Sequence, residues 1–426
     1  VKKKKNLKKV GSRYGINEYR LENGLRVLYK KISAVPLVTV CITFHVGSRN
    51  EVRGHTGATH ILEHLLFKDS KNFNVKNGKS ITNYLELFGA KMNATTWVDR
   101  TNYFEMLPKE HLSKALALEA DRLRNALFND ADLKSEMTVV RNEYERSRNN
   151  PFEIIDEAMM ETAFTVHPYR IPTIGFKEDI ESSTATKLRE FYDCFYWPNN
   201  ATLSILGDVS ETEIKKLVIK YFASIPSSPR TIPTMNTVEP IQKKPREITI
   251  KKPGDVSVVG LLYKTPRGTD ADYPAVLIIA NILAGGFSSR LNKKLVDTSL
   301  AANVWFFTHP FHDPGPLTFF AHLTPESNPR KIITFMREVC LGFDKKPITL
   351  DEIKRAKERI LADLAEEHDG IFAETRALSE SIAAGDWRLR YQLEERIKKL
   401  TLKDIIRVYK KYIISSNETS GLLLKN

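Results

Sequence analysis

Only three cysteines, Cys41, Cys194 and Cys340, occur in this chain of 426 residues. Odd in number, far apart and outside any metal-binding spacing, they exclude a disulfide framework and a cysteine-ligated metal centre. We read them as core thiols, which for a bacterial protein permits a periplasmic or a cytoplasmic address. No apolar run approaches the length of a transmembrane helix, so no membrane span is expected. No signal-type apolar segment is present either. The chain also lacks a basic stripe interleaved with aromatics, and no nucleic-acid module is legible in it. Its net charge of +13 therefore does not argue for a nucleic-acid partner.

What the chain has in plenty is lysine, scattered throughout and dense only at Lys2–Lys5 with Lys8 and Lys9. That run reads as a solvated, frayed terminus. An alternative makes it the remainder beside a removed signal segment. An apolar share of 42% is ample for packed cores, and the length allows two to three domains. The order of elements predicts two halves. Residues 1–228 hold a strand pair near 17–30, a strand at 35–45, helices near 59–67, 77–88, 111–126, 132–149, 153–165 and 184–194, and a strand at 201–206. Residues 229–246, with Pro229, Pro233, Pro240 and Pro245, read as a linker. In residues 247–426 the order recurs: strands near 247–251, 256–263, 302–307 and 316–323, and helices at 273–284, 328–342, 350–367, 371–384 and 402–411. The expected fold class is α+β, a duplicated layered unit.

One pentapeptide carries chemistry: His60-Ile61-Leu62-Glu63-His64. On a helix, positions i, i+3 and i+4 share a face, so both imidazoles can hold one metal ion with Glu63 beside it. Ile61, Leu62, Leu65 and Leu66 make this a buried amphipathic helix, and a metal offsets the cost of burying its polar trio. H-x-x-E-H is the inverted form of the H-E-x-x-H zinc motif. The cofactor expected is Zn²⁺, which takes three protein ligands and a water. The missing third ligand is found in the helical stretch 132–149. There Glu136, Val139, Val140 and Glu143 fall on one stripe. Glu143, 79 residues after His64, is the candidate ligand, and Glu136 the acid behind it that polarises a ligand or holds water. His167 reads as a packing residue. His309 and His312 are ligand-like in type but have no legible second carboxylate.

Taken together, these residues and several further segments resemble the pitrilysin-type zinc peptidases, or inverzincins. The resemblance is closest to the branch of the mitochondrial processing peptidase and its bacterial relatives. It spans nearly the whole chain, through Gly24-Leu25-Arg26-Val27, Gly47-Ser48-Arg49, Asn93-Ala94-Thr95, Thr101-Asn102-Tyr103, His167-Pro168-Tyr169, Asn200-Ala201-Thr202-Leu203, Gly207-Asp208-Val209 and Gly285-Gly286-Phe287-Ser288-Ser289-Arg290-Leu291. The resemblance implies two homologous halves forming a clamshell around a chamber, with zinc on one wall.

Met92–Trp97 has strand-like composition, and an edge strand there would offer backbone groups to an extended peptide. The family uses Asn-Ala at this place, so Asn93, Ala94 and Thr95 are carried over as substrate-binding. Glu63 is expected as general base, with Glu136 also in the catalytic set. The second half's counterpart of the zinc helix contains neither His nor Glu. Where the family carries an Arg and Tyr pair, the matching segment Leu295–Asn303 has Val296 and Ala302. A second subunit is therefore expected: a homologous chain carrying that pair in a heterodimer, or a homodimer. The function expected is a zinc-dependent endopeptidase of short or unfolded peptides. The alternative is a non-catalytic assembly or peptide-binding subunit of the same fold.

Overall fold

The computed structural model describes residues 6–254, 256–366 and 369–425. The polypeptide forms two compact units, each built on one mixed sheet. The first contains Val1–Asn142, Pro172–Asn236 and Glu367–Ala383. Its strands are β1 (Leu7–Arg13), β2 (Ile16–Leu21), β3 (Arg26–Lys31), β4 (Leu37–Phe44), β5 (Lys91–Thr96), β6 (Thr101–Pro108) and β7 (Ala201–Gly207). They lie in the order β1-β2-β3-β7-β4-β6-β5, all neighbours antiparallel except β3 and β7. β4 is apolar along nearly its whole length because both of its faces are covered.

Alternation along β6 shows which helix covers which face. Asn102 donates to Ser379 Oγ, and Phe104 meets Phe372, so these residues face the helix Ile371–Ala383. Tyr103 and Glu105 face the other way, toward Arg122 on the helix Leu112–Asn125.

The second unit contains Glu143–Ile171, Thr237–Glu366 and Ala384–Asn426. Its strands are β8 (Arg246–Lys252), β9 (Val258–Lys264), β10 (Ala301–Thr308), β11 (Pro316–Leu323) and β12 (Glu418–Lys425), in the order β10-β11-β9-β12-β8. Only β8 and β12 run parallel. Reading β5-β6-β4-β7-β3 beside β10-β11-β9-β12-β8 gives the same order and the same strand directions, the mark of a duplicated α+β unit. The helix Pro151–Ala163 packs on β8, β9 and β12. It comes close through Gly260 and Gly421, paired across β9 and β12. A Cβ at Gly421 would lie 2.5 Å from Met159 Cγ, and one at Gly260 would lie 2.8 Å from Met159 Sδ.

The units are thus not simple sequence halves. Ile371–Ala383, placed by sequence in the second half, packs in the first unit, and Pro151–Ala163 packs in the second. Residues 226–245 carry no helix or strand, as the proline content predicts. Several expectations about individual elements fail. Lys8 and Lys9 belong to β1 and are not frayed, while residues 1–5 lie outside the described set. The helices Glu211–Phe222 and Leu389–Lys399 and the strand β12 were not anticipated. The helix expected at 77–88 shrinks to Ile81–Glu86, because Gly78 is left-handed and the Ser80 side chain caps a new helical start. Cys41 and Cys340 are buried thiols, but Cys194 is only half-buried.

Beneath β6, Glu105 and Glu119 share a single guanidinium, Arg122, at 3.6 and 3.2 Å, and all three are at most 1% exposed. Burial first, and then the neighbouring Glu119, hold the Glu105 carboxyl well above its ordinary value of 4.5. Because the folded state favours the protonated acid, the stability this group contributes is fully present at low pH and is lost as pH rises above 4.5. Glu105→Gln removes that titration with little change of shape. Its thermal midpoint is expected to fall less than the parent's between about pH 5 and about pH 9. Equal slopes would refute the burial argument.

Candidate metal centre and active site

The helix Ala58–Leu65 turns Ile61, Leu62 and Leu65 into the core and leaves His60, Glu63 and His64 half-buried on its other face. Its N-terminus is held by a residue that sequence reading missed. Glu51 Oε2 accepts from Gly57 N at 2.8 Å, while Oε1 accepts from Thr59 N at 2.8 Å and Thr59 Oγ1 at 2.5 Å. Burial pushes this carboxyl up to about 7 against the opposing pull of those hydrogen bonds. Asp179 fixes the preceding turn by accepting from Gly54 N, Thr56 N and Thr56 Oγ1. Neither acid has a signature in spacing; Glu51 lies eight residues before Thr59, outside the usual capping window.

His60 Nε2 and His64 Nε2 lie 3.3 Å apart. Two ligand atoms bound at about 2.1 Å in a tetrahedral site stand about 3.4 Å apart, so this spacing suits one shared ion. Burial, with His64 beside it, draws the His60 imidazole down to about 4, leaving it neutral as a ligand must be. The third group comes from the helix Asp130–Ser147. The second unit begins at Glu143, inside this continuous helix. Among the described residues, His60, His64 and Glu143 form the one group of His, Cys, Asp or Glu able to hold a metal ion, with ligand atoms within 4.8 Å of one another.

One helical turn earlier than Val140, Glu136 Oε2 sits 3.0 Å from His64 Nδ1. With that nitrogen as donor, the lone pair of His64 is on Nε2, facing His60. Glu136 Oε1 lies 2.5 Å from Lys68 Nζ. Burial acts to raise the Glu136 carboxyl, but hydrogen bonds from Lys68 and His64 outweigh it and hold the group below its ordinary value. The predicted stripe is narrower than the spacing suggested. Val140 is fully buried, whereas Val139 is 41% exposed and lies off the inward line. Glu63 lies close enough to raise the hydroxyl pKa values of Tyr103 and Tyr196, for which burial is the larger cause.

β5 forms an edge of its sheet. Trp97 N bonds Arg100 O, and the alternation that follows pairs Asn93 and Thr95 with β6. Met92, Ala94 and Thr96 therefore turn their backbone groups to the open edge. Ala94 N is bonded by the Asn93 side-chain oxygen at 2.8 Å. The other histidines stay outside the centre. His167 is buried and accepts from Tyr169 N, while Asp313 lies 3.4 Å from His167 Nε2 and 3.5 Å from His312 Nδ1. In the segment Leu295–Asn303, Ser299 takes a left-handed φ of 59°, Val296 packs against the core and Ala302 is exposed on β10.

Two family models match the chain: "Insulinase (Peptidase family M16)" over residues 26–176 and "Peptidase M16 inactive domain" over residues 182–360. The chain belongs to peptidase family M16. The M16 model at 26–176 contains all of His60, Glu63, His64, Glu136 and Glu143; the inactive-domain model covers the helix Tyr273–Ala284, which has none of their kind. Among its relatives, the zinc protease PqqE of Helicobacter pylori is 28% identical over 415 residues, 95% of this chain and 91% of that protein. The uncharacterized zinc protease YmxG of Bacillus subtilis is 25% identical over 82% of this chain and 83% of its own length. The crystal structure of a protease from Helicobacter pylori superposes with a TM-score of 0.90 at 27% identity, covering 96% of this chain and 99% of that one. An M16 inactive-domain structure from Pseudomonas fluorescens, at 19% identity and TM-score 0.85, has the same fold.

The purified M16 chain is expected to bind about one divalent ion, and His64→Ala to reduce this to near zero by elemental analysis. Full metal content in His64→Ala would exclude this centre.

Proposed function

We propose that this M16 chain is a zinc-dependent endopeptidase that hydrolyses short or unfolded peptides. The observation that carries the reading is one site holding His60, His64 and Glu143 together, with Glu63 on the same helical face. Two imidazoles and a carboxylate are a zinc donor set, and the zinc proteases among the relatives support that metal. Zinc bound there would supply a Lewis acid for the scissile carbonyl and make water a stronger acid at neutral pH. Glu63 takes the proton from the attacking water and passes it to the leaving amine. Glu136 fixes the ring of His64. The peptide lies as an added strand along β5, at the open groups of Met92, Ala94 and Thr96, with Asn93, Ala94 and Thr95 as the substrate-binding residues. Pairing through backbone groups would make binding tolerant of sequence.

A second homologous subunit completes the site in this reading, either a partner carrying an Arg and Tyr pair or a second copy of the chain. Val296 and Ala302 motivate it, since neither side chain can donate to a developing oxyanion. The same two residues favour the competing reading, a non-catalytic peptide-binding subunit.

Glu63→Gln separates the two. It is expected to keep its zinc and to lower hydrolysis of an unstructured fluorogenic peptide by about 10²-fold or more, measured with whichever partner restores the parent's activity. Undiminished hydrolysis by Glu63→Gln would eliminate Glu63 as the base. A parent chain that binds zinc and peptide yet cleaves nothing, alone or paired with a homologous subunit, would favour the binding subunit.

A further inference from the structure

Lys68 lies just past the metal-binding helix and has no part in the chemistry proposed for Glu63 and the zinc ligands. The chain leaves that helix through a tight turn, with Phe67 N bonding His64 O and Lys68 N bonding Leu65 O. Four residues after His64, Lys68 emerges on the same side, and both side chains converge on one carboxylate. Glu136 Oε2 meets His64 Nδ1 at 3.0 Å and Oε1 meets Lys68 Nζ at 2.5 Å. We infer that Lys68 is a positioning residue for the metal centre, an ammonium anchor that holds the Glu136 carboxylate in the rotation at which it grips His64.

The bland alternative is a surface ion pair, which contributes little and often nothing. Burial argues against it. The Glu136 side chain is only 10% exposed and Lys68 only 35%, so the pair is screened from water at its carboxylate end. A carboxylate gripped on one oxygen alone can turn about its terminal torsion, which is broad and roughly two-fold. Gripped on both oxygens, by a ring nitrogen and by an ammonium from the same chain segment, it cannot turn without losing two charge-assisted bonds. Orientation of His64 then passes from Lys68 through Glu136, with no contact between Lys68 and any reacting atom.

This inference rests on the zinc reading, so its test measures metal first. Zinc dissociation constants would be determined by competition with a chromophoric chelator for the full chain and for Lys68→Met, Lys68→Arg, Glu136→Gln and the Lys68→Met/Glu136→Gln double variant. Lys68→Met is expected to weaken zinc about ten- to hundredfold, within the range for outer partners of metal ligands, without moving the melting midpoint of the metal-free chain. Lys68→Arg, which keeps the charge, should restore most of the affinity. The double variant should bind no more weakly than Glu136→Gln alone, because Lys68 acts through Glu136. Parent-like affinity in Lys68→Met, or losses that multiply in the double variant, would overturn the role of Lys68 while leaving the zinc centre standing. A parent chain that takes up no zinc would remove both.

Discussion

The metal-binding face depends on a helix of eight residues that could not stand alone. Isolated helices shorter than about 12–15 residues are marginal in water, and this one gives up part of its surface to two imidazoles and a carboxylate. Tertiary contacts must therefore hold it. Ile61, Leu62 and Leu65 are at most 1% exposed and fix its roll about its own axis. Glu51 satisfies its first backbone donors and places a carboxylate at the positive end of its dipole. Gly57 lets the chain enter the helix at a φ of 83°, where a Cβ would lie 2.5 Å from Ile174 O. The spacing of His60 and His64 depends on these three constraints, so disturbing Glu51 or Gly57 would act on the proposed metal centre without touching its ligands.

The second unit shows what the same architecture becomes when no ligand face has to be kept. Its helix Tyr273–Ala284 is buried on nearly every side and carries an unbroken apolar run, Ala275–Ala280. A helix apolar all round is core, and packs more favourably than one that must keep a polar face accessible. One position in a duplicated fold thus supports two sequence patterns. The amphipathic copy gives up burial to keep His60, Glu63 and His64 on an accessible face; the apolar copy packs a sheet. The inactive-domain match over this region fits that division of labour.

What could be read from sequence was whatever leaves a local period or a fixed spacing. The histidine pair, Glu143 and Glu136 fall at helical intervals, and strands such as β4 and β11 are long apolar runs, so all were legible. The exchange of helices between the units was not. Nothing in the apolar pattern of Ile371–Ala383 says which of two similar sheets it will cover; that is decided by contacts such as Thr375 with Thr39 and Ser379 with Asn102. Long-range anchors escaped for the same reason. Asp179 reaches Thr56 across 123 residues, and the two buried acids beside Arg122 look in sequence like ordinary helix and strand charges. Strand β12 escaped because its small polar start, Glu418-Thr419-Ser420-Gly421, hides a buried strand that accommodates Met159.

The open edge of β5 limits where affinity for a peptide can come from. Ala94 N already bonds the side chain of Asn93. A peptide pairing with β5 must displace that oxygen, exchanging one hydrogen bond for another, and such exchanges leave about 0.5–1.5 kcal/mol or less per bond. In the proposed reading, the backbone edge would align a peptide without binding it tightly. Selectivity must then come from apolar burial, or from whatever the released Asn93 amide can bond once it swings clear. A site built this way favours chains already extended and unpaired, since folded substrates would also have to break their own ladders. In the proposed reading, a preference for unfolded peptides would have two sources, the hydrogen-bond balance at Ala94 and the topology of the sheet.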